Sequence, residues 1–316
     1  MKYLQNNLKR ILLVAFSITL LLSGCGTVNT NSSNTYGVAV TDALGNTVYL
    51  KSDVKLASGY GSFADCWQLA GGEPVGVTED ALEEQGLIFD ETVEIIGTVK
   101  EINLEKVIAL NPDYLMLSAD LTAHLKLEDS LKSAGIKYGY FRTDTFEDYK
   151  ALMQQLCDVT GRADLYKKNV TDVENRITEI KGEIPESTDK TVLLMRVYST
   201  GVKAKRDDNL GGQILKELGL RNIADSNSSL LEDLSVEQII KENPDYIFVS
   251  FMGSETAAKE YLKENIENNP AWQGLTAVKN SNYVLLPKDL FHYKPNERWD
   301  ESYEYLAKIV YGQIFE

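Results

Sequence analysis

The sequence predicts an α/β protein with two lobes, each built on a parallel sheet, and a single long helix that joins them. Three features support this fold class. Short apolar runs alternate with helical stretches, one segment occurs twice, and the longest helical pattern lies between the two copies. The chain has 316 residues, 43% of them hydrophobic and 25% charged, which is enough for two domains with buried cores.

The alternation begins with a hairpin predicted over residues 38–50, where Gly45 and Asn46 suit the positive φ of a tight turn. Short apolar runs then predict strands over 54–57, 75–77, 114–117 and 138–141 in the first lobe, and over 191–197, 246–251 and 283–286 in the second. Helical patterns separate these runs, and a helix over 297–311 ends the second lobe. Such alternation is typical of βαβ units and parallel sheets.

The repeated segment covers residues 103–118 and 235–250, which are identical at seven of sixteen positions. Both copies contain a glutamate, Glu105 or Glu237, followed by the sequence Asn-Pro-Asp-Tyr. Each copy predicts a short helix, capped by Asn103 or Ser235, then a turn and a buried strand. The helix ends at Asn-Pro because the residue before a proline avoids the α region. The repeat therefore predicts two similar lobes.

The longest helical pattern runs over 146–159 and 162–181, with an interruption around Thr160 and Gly161. Twenty helical residues span about 30 Å, so this region is expected to act as a stiff strut. The predicted organisation is a lipoprotein signal peptide over 1–24, a lipidated flexible tether over 25–37, an N-terminal lobe over 38–145, an interlobe helical region over 146–183 and a C-terminal lobe over 184–316.

The N-terminus has the pattern of an export signal, with three basic residues, a mostly apolar run over 11–22 and then Ser23-Gly24-Cys25. A permanent membrane span is disfavoured, because a helix needs about 20 apolar residues to cross the hydrocarbon layer. The Leu22-Ser23-Gly24-Cys25 sequence resembles a bacterial lipobox. That resemblance implies cleavage before Cys25 and a lipid on its thiol, followed by a Ser/Thr/Asn-rich flexible tether.

Composition excludes several functions. The 32 basic and 47 acidic residues give a net charge of −15, which argues against general nucleic-acid binding. Three cysteines and two histidines form neither a disulfide framework nor a histidine-rich metal site, so no protein-bound metal and no intrinsic cofactor are expected. Beyond Cys25, two buried free thiols at Cys66 and Cys157 are favoured, although the sequence leaves their pairing open.

Together, the lipobox, the hairpin motif over 40–46, the two Glu-x-x-Ile-x-x-Asn-Pro-Asp elements and the bridging helix resemble the substrate-binding lipoproteins of ABC importers for ferric siderophores, cobalamin and haem. The resemblance covers residues 38 to about 312. It implies the class III periplasmic-binding-protein architecture, with two Rossmann-like lobes and a rigid interlobe helix. It also implies a monomeric receptor, anchored outside the cytoplasm through the lipid on Cys25, that delivers cargo to an ABC permease dimer and its ATPase.

The family's two permease-docking glutamates correspond to Glu105 and Glu237. Both are predicted at the second position of a helix, where the helix dipole favours an anion by about 0.3–1 kcal/mol. The alternative interpretation is therefore that either glutamate only stabilises its helix. Neither is needed to complete a capping box, since Lys106 and Gln238 occupy the third positions.

Ligands of open parallel sheets bind beyond the carboxyl ends of the strands, so the loops there are the candidate site. The predicted ligand-binding residues are Tyr60, Ser62, Trp67, Tyr198, Lys205, Arg206, Phe291 and His292. Further candidates in the same loops are Phe63, Ser118, Asp120, Arg142, Lys203, Phe251, Met252, Tyr293 and Lys294.

Three cations at Lys203, Lys205 and Arg206 suit an anionic chelate, unless they form a solvated turn with the two aspartates that follow. His292 or Tyr293 offers a haem-iron ligand, with ordinary packing as the alternative. Trp67 suits either ligand contact or the core. His124 is expected to have no role in the ligand site.

The sequence contains none of the short catalytic motifs of hydrolases, P-loop enzymes, zinc proteases or dinucleotide-binding enzymes, so no catalytic residues are assigned. The leading hypothesis is a receptor that captures an iron chelate between its lobes. A ferric siderophore is favoured as ligand, followed by a corrinoid and then haem. The alternative is a lipid-anchored surface enzyme or structural protein with the same two-lobe fold.

Overall fold

The computed structural model describes residues 37–185, 188–226, 229–232, 234 and 236–314. The predicted signal peptide, Cys25, most of the predicted tether and the predicted cap Ser235 lie outside these residues. Within the described ranges, none of the helices has the length and apolar character needed to cross a bilayer.

The strands are β1 (Val38–Thr41), β2 (Thr47–Leu50), β3 (Leu56–Ser58), β4 (Gly76–Val77), β5 (Glu94–Ile95), β6 (Tyr114–Ser118), β7 (Tyr138–Phe141), β8 (Thr191–Tyr198), β9 (Gly201–Lys205), β10 (Arg221–Asn222), β11 (Tyr246–Phe251) and β12 (Tyr283–Leu285). The α-helices are α1 (Gly61–Leu69), α2 (Asp80–Glu83), α3 (Leu104–Leu110), α4 (Thr122–Leu125), α5 (Glu128–Ala134), α6 (Phe146–Thr160), α7 (Ala163–Tyr166), α8 (Asp172–Glu183), α9 (Leu210–Glu217), α10 (Ser229–Glu232), α11 (Val236–Glu242), α12 (Glu255–Leu262), α13 (Thr276–Lys279), α14 (Lys288–Phe291) and α15 (Trp299–Tyr311).

The first lobe opens with the predicted hairpin, in which β1 and β2 pair antiparallel. Gly45 has the predicted positive φ at the turn, +85°, whereas Asn46 does not adopt the positive φ predicted for it. The carboxylate of Asp42 organises this turn by accepting hydrogen bonds from the backbone N–H groups of Leu44 (2.9 Å) and Asn46 (2.8 Å). It also accepts one from the Tyr140 N–H (3.0 Å), which fastens the hairpin to β7.

The first sheet has the strand order β5-β4-β3-β6-β7 and is parallel throughout. The four predicted strands are all present, with bounds shifted by up to two residues. The sequence prediction missed β5 (Glu94–Ile95), because two residues of which one is charged give no apolar run. The parallel α/β fold predicted for this lobe is confirmed.

The second sheet has the order β10-β8-β11-β12, also parallel, and β9 is added antiparallel beside β8. The prediction placed Lys203 and Lys205 in a loop, and this is wrong, because both lie on β9 opposite Arg196 and Leu194. A tight turn after Tyr198 returns the chain directly along β8. The alternating polar residues of β9 concealed the strand in the sequence.

The repeated segments form the same unit in each lobe, α3 followed by β6 and α11 followed by β11. Asn111 and Asn243 end the two helices in the left-handed conformation, with φ of 48° and 44°. In each copy, the aspartate after Asn-Pro accepts a hydrogen bond from a backbone N–H at, or just before, the start of the neighbouring strand. Asp113 accepts from Lys55 at 2.9 Å, and Asp245 from Thr191 at 2.8 Å. The shared Asn-Pro-Asp sequence therefore ends a helix and fixes a strand pair in both lobes.

The interlobe region begins with α6, which Thr145 and Asp148 cap reciprocally, and which ends at Gly161 with φ 71°. Helical structure resumes at Ala163 and continues through a π-helical turn over Lys167–Thr171 into α8. The α8 helix packs against α15 at the C-terminus. This confirms two α/β lobes joined by a long helix, while the exact domain boundaries stay a prediction.

One apolar cluster extends from the first lobe through the interlobe helices into the second lobe. It includes Phe146 and Trp299, whose rings meet edge-on with centroids 5.8 Å apart. Cys66 and Cys157 are buried in the same cluster as free thiols, as the sequence favoured. Trp272 lies in a separate cluster of the second lobe. The lobes are therefore joined by packed side chains as well as by the helix.

Candidate functional site

A cleft of about 330 Å³ lies between the lobes, at the carboxyl ends of both sheets. The lining residues of the first lobe end or follow strands β3, β6 and β7. Those of the second lobe lie near the ends of β8 and β9 or follow β9, β11 and β12. The lining residues are Tyr60, Phe63, Ser118, Asp120, Leu121, Arg142, Thr143, Asp144, Arg196, Lys205, Asp208, Asn209, Leu210, Met252, Phe291, His292 and Lys294.

Half of the eight predicted ligand-binding residues line this cleft, namely Tyr60, Lys205, Phe291 and His292. The further candidates that line it are Phe63, Ser118, Asp120, Arg142, Met252 and Lys294. Most of them lie in the segments that follow β3, β6, β7, β11 and β12, whereas Lys205 ends the antiparallel β9. The position of the cleft therefore agrees with the crevice rule for parallel sheets, and the ligand contacts of these residues stay a prediction.

The other four predicted ligand-binding residues do not line the cleft. Ser62 is 1% exposed, and its Oγ donates a hydrogen bond to Asn296 Oδ1 at 3.2 Å. Trp67 is 2% exposed in the core, where a Cβ on Gly72 would come within 2.0 Å of the indole. The Arg206 Nε donates to the Ala224 carbonyl at 3.3 Å, which ties the end of β9 to the segment after β10. Tyr198 lies at the β8–β9 turn, opposite Gly201.

Sequence reasoning missed Arg196, Thr143 and Asp144, which line the cleft. The signal for Arg196 was present, because a single arginine inside an otherwise apolar strand is unusual. Thr143 and Asp144 directly follow Arg142, at the carboxyl end of β7. They were missed because only the first residue after that strand was considered.

An ion-pair chain runs along one side of the cleft. The Arg142 Nε lies 2.7 Å from Asp120 Oδ1 and 3.6 Å from Asp144 Oδ2. The Lys294 Nζ lies 2.6 Å from Asp144 Oδ1, so this chain crosses from the first lobe to the second. Acids of the protein thus neutralise two of the cations that line the cleft.

Two further cations, Arg196 and Lys205, line the opposite wall. Among the described residues neither has a carboxylate within ion-pair distance. The Nε of Arg196 is buried without a hydrogen-bond partner in this part of the chain. Asp208 also lines the cleft but lies within ion-pair distance of neither cation, so the four lining cations outnumber the three lining acids and leave a net positive charge.

A model of the family described as "Periplasmic binding protein" matches residues 56–290, which is most of the chain. The chain belongs to this periplasmic binding protein family.

Individual relatives agree with this assignment. The Fe(3+)-citrate-binding protein YfmC of Bacillus subtilis is 25% identical over 326 residues, which cover 100% of this chain and 99% of that protein. The petrobactin-binding protein YclQ of the same organism is 25% identical over 288 residues, covering 87% and 90%. The crystal structure of the triscatecholate siderophore binding protein FeuA of B. subtilis, complexed with ferri-bacillibactin, has a TM-score of 0.67 at 22% identity, covering 88% and 98%. All three are named as binding proteins.

His292 and Tyr60 supply uncharged polar groups to the cleft of this periplasmic binding protein. Burial, together with the nearby cations Lys288, Arg196 and Lys294, lowers the pKa of His292 to about 4. Burial and neighbouring acids, first among them Asp80, raise the pKa of Tyr60. At neutral pH the imidazole is therefore neutral and the phenol keeps its proton.

Two half-buried acids, Asp65 and Glu297, lie at the seam between the lobes near Asn296. Burial and, to a smaller extent, the negative charge of the neighbouring Asp65 raise the pKa of Glu297 to about 7. The Nδ2 of Asn296 donates to Asp65 Oδ2 at 2.6 Å and to the Ser62 carbonyl at 3.1 Å. The segment before α15 thus attaches directly to α1 of the first lobe, behind the cleft.

The two predicted docking acids lie outside the cleft lining, and both are exposed on the first turns of α3 and α11. Asn103 caps α3 by accepting the Lys106 N–H at 3.0 Å, so Glu105 is not required for the cap. The Asn103 N–H in turn donates to the Ile96 carbonyl at 2.7 Å, just beyond β5. The N-terminus of α3 is therefore held at the carboxyl edge of the first sheet.

His124 has a structural environment. It is 1% exposed, accepts the Ser118 N–H on Nδ1 at 2.9 Å, and its Nε2 lies 2.8 Å from the Val99 carbonyl. Burial lowers its pKa, which favours the neutral ring. This side chain braces the loop after β6, which contributes Ser118 and Asp120 to the cleft.

Proposed function

We propose that this protein captures a ferric chelate outside the cytoplasm and delivers it to an ABC permease, with no bond made or broken. The observation that carries the proposal is the interlobe cleft, in which Arg196 and Lys205 lack ion-pair partners among the described residues. An anionic chelate neutralises such cations on binding. The family and the names of its iron-citrate-binding and petrobactin-binding relatives support the same ligand class.

A ferric siderophore or ferric hydroxycarboxylate fits the cleft better than a corrinoid or haem. The volume of about 330 Å³ lies at the lower end of the range for ligand pockets, roughly 300–1,000 Å³. A large planar macrocycle requires the lobes to separate further. The neutral His292 offers a nitrogen ligand to haem iron, but the unneutralised cations favour the smaller, more highly charged chelates.

The proposed function includes delivery of the bound chelate to the permease. A lipid on Cys25 holds the receptor at the outer face of the membrane, and the tether over 25–37 allows it to reach the permease. Glu105 and Glu237 dock the two lobes onto the two permease subunits, which are driven by an ATPase. The exposure of both acids outside the cleft supports this role, because docking then does not disturb the ligand.

Equilibrium titration of the purified protein tests the ligand class. Ferric citrate and ferric siderophores should bind with a Kd below about 1 μM, equivalent to roughly −8 kcal/mol, whereas the iron-free chelators should bind at least about tenfold more weakly. Affinity should fall as salt concentration rises, since paired charges are screened. Cobalamin and haemin serve as comparison ligands. If none of the ferric chelates binds, the proposed function is wrong.

A further inference from the structure

Arg196 occupies an unusual position near the carboxyl end of β8. It is the only charged residue in that eight-residue strand, and its neighbours Met195 and Val197 are fully buried. Its Nε is buried without an acceptor among the described residues, although its side chain lines the cleft. A buried donor without a partner is energetically costly, because it has lost its hydrogen bonds to water. A ligand that supplies an acceptor removes this cost.

Lys205 adds a second cation to the same wall. It ends β9 and pairs with Leu194, two residues before Arg196 on β8. Side chains two residues apart on a strand, and residues paired across strands, point to the same face of a sheet. Arg196 and Lys205 therefore lie together on the second-lobe wall of the cleft, within reach of one anionic group or of two adjacent ones.

The first-lobe wall is different, because its cation is already neutralised. Arg142 is paired with Asp120 and Asp144, as described above. This wall instead contributes the hydroxyl of Thr143, a residue that is 2% exposed. Its Oγ1 is buried and has no hydrogen-bond partner in the described part of the chain. The wall thus supplies a neutral polar contact.

We infer that the two walls of the cleft recognise different groups of one ligand. Free carboxylates of a compact ferric chelate bind Arg196 and Lys205 on the second-lobe wall, and an uncharged oxygen of the same chelate binds Thr143 on the first-lobe wall. This inference rests on the proposed function. The guanidinium fork of Arg196 matches a carboxylate geometrically, which a catecholate or hydroxamate already coordinated to iron does not provide. Arg196, Lys205 and Thr143 are therefore the specificity-determining residues, and the ligand class is a carboxylate-bearing ferric chelate.

Substitutions on the two walls should differ in size and in salt dependence. Loss of a charged hydrogen-bond partner of a carboxylate should weaken ferric citrate binding by about 30- to 100-fold in Arg196→Gln and about 10-fold in Lys205→Gln, with a shallower salt dependence. Loss of a neutral hydrogen bond in Thr143→Val should cost about 3- to 10-fold and leave the salt dependence unchanged. Thr143→Ser keeps the hydroxyl and should restore affinity.

Lys279→Gln is the matched control. Lys279 is an exposed lysine at the end of α13 in the same lobe and lies outside the cleft lining, so its loss should change affinity by less than about twofold. Circular dichroism and thermal unfolding show whether each variant is folded. Arg196→Lys, which keeps the charge but not the fork, provides a second test if Arg196→Gln unfolds, and it should show an intermediate loss.

Comparison of ferric chelates separates the inference from the proposed function. Chelates with free carboxylates should bind at least about tenfold more tightly than a ferric triscatecholate or trishydroxamate without them. Tighter binding of a carboxylate-free ferric chelate, or equal losses in Lys279→Gln and Arg196→Gln, overturns this two-wall recognition of the ligand but leaves the receptor function intact. Failure of every ferric chelate to bind overturns both.

Discussion

Replacing Glu105 and Glu237 together with alanine should abolish chelate uptake by cells while leaving the Kd of the purified protein unchanged. Both acids are exposed on the first turn of their helices and neither lines the cleft. In docking, each carboxylate engages a basic pocket on one permease subunit through charge-assisted hydrogen bonds. Each single variant should retain partial uptake, because one lobe still docks. Cellular accumulation of radioactive iron and a parallel binding titration measure the two quantities.

The control for this double variant removes the same charge elsewhere. Glu91 and Glu183 are exposed acids outside the repeated segments, and their double replacement with alanine should leave uptake within about twofold of the unmodified protein, as expected for surface charges without a specific partner. If the Glu105 and Glu237 variant binds its chelate more weakly in solution, these acids serve the cleft and the docking role is wrong. Normal uptake by the same variant contradicts docking directly.

Replacing Cys25 with serine should release the protein from the membrane fraction. Cys25 lies outside the described residues, so this expectation depends on the lipobox-like sequence Leu22-Ser23-Gly24-Cys25. A lipid anchor owes its strength to buried methylene groups, at about 0.8 kcal/mol each, and serine carries no thiol to receive it. Most of the protein should therefore move to the soluble extracytoplasmic fraction. Immunoblots of separated membrane and soluble fractions give the result.

Ser32→Ala in the tether is the matched control, since it changes a nearby side chain but keeps the thiol. It should remain in the membrane fraction. Retention of Cys25→Ser in the membrane, at the size of the uncleaved chain, indicates instead that the apolar run over 11–22 stays in the bilayer as an anchor. That outcome also leaves the receptor function untouched, because the cleft does not depend on how the chain is attached.

Local patterns were sufficient to predict the two-lobe fold. The central strands are continuous apolar runs, and the repeated Asn-Pro-Asp sequence marks the same helix end in each lobe. Its aspartates fix neighbouring strands in the same way, which explains why the two copies share this sequence. Short or polar strands were lost, because β5 has two residues and β9 carries two lysines, so neither shows an apolar run.

The site was predictable only in part, because strand ends can be read locally but contacts between distant segments cannot. Tyr60 comes shortly after β3 and His292 lies in the longer segment after β12, so that rule included both. Ser62 also follows a strand, yet it is covered by Asn296, which is 234 positions away in the chain. Trp67 lies on the buried face of α1, and no local signal separated that core face from the cleft. Arg196 was missed although it is the one charged residue of an otherwise apolar strand.

The most direct test is the position of iron in crystals of the protein grown with a ferric chelate, located by anomalous scattering at the iron absorption edge. One iron peak should lie in the cleft between the wall that carries Arg196 and Lys205 and the wall that carries Thr143, with ligand oxygens on these side chains. An iron peak outside the cleft, or a cleft without iron in crystals of a complex that is saturated in solution, would contradict capture between the lobes.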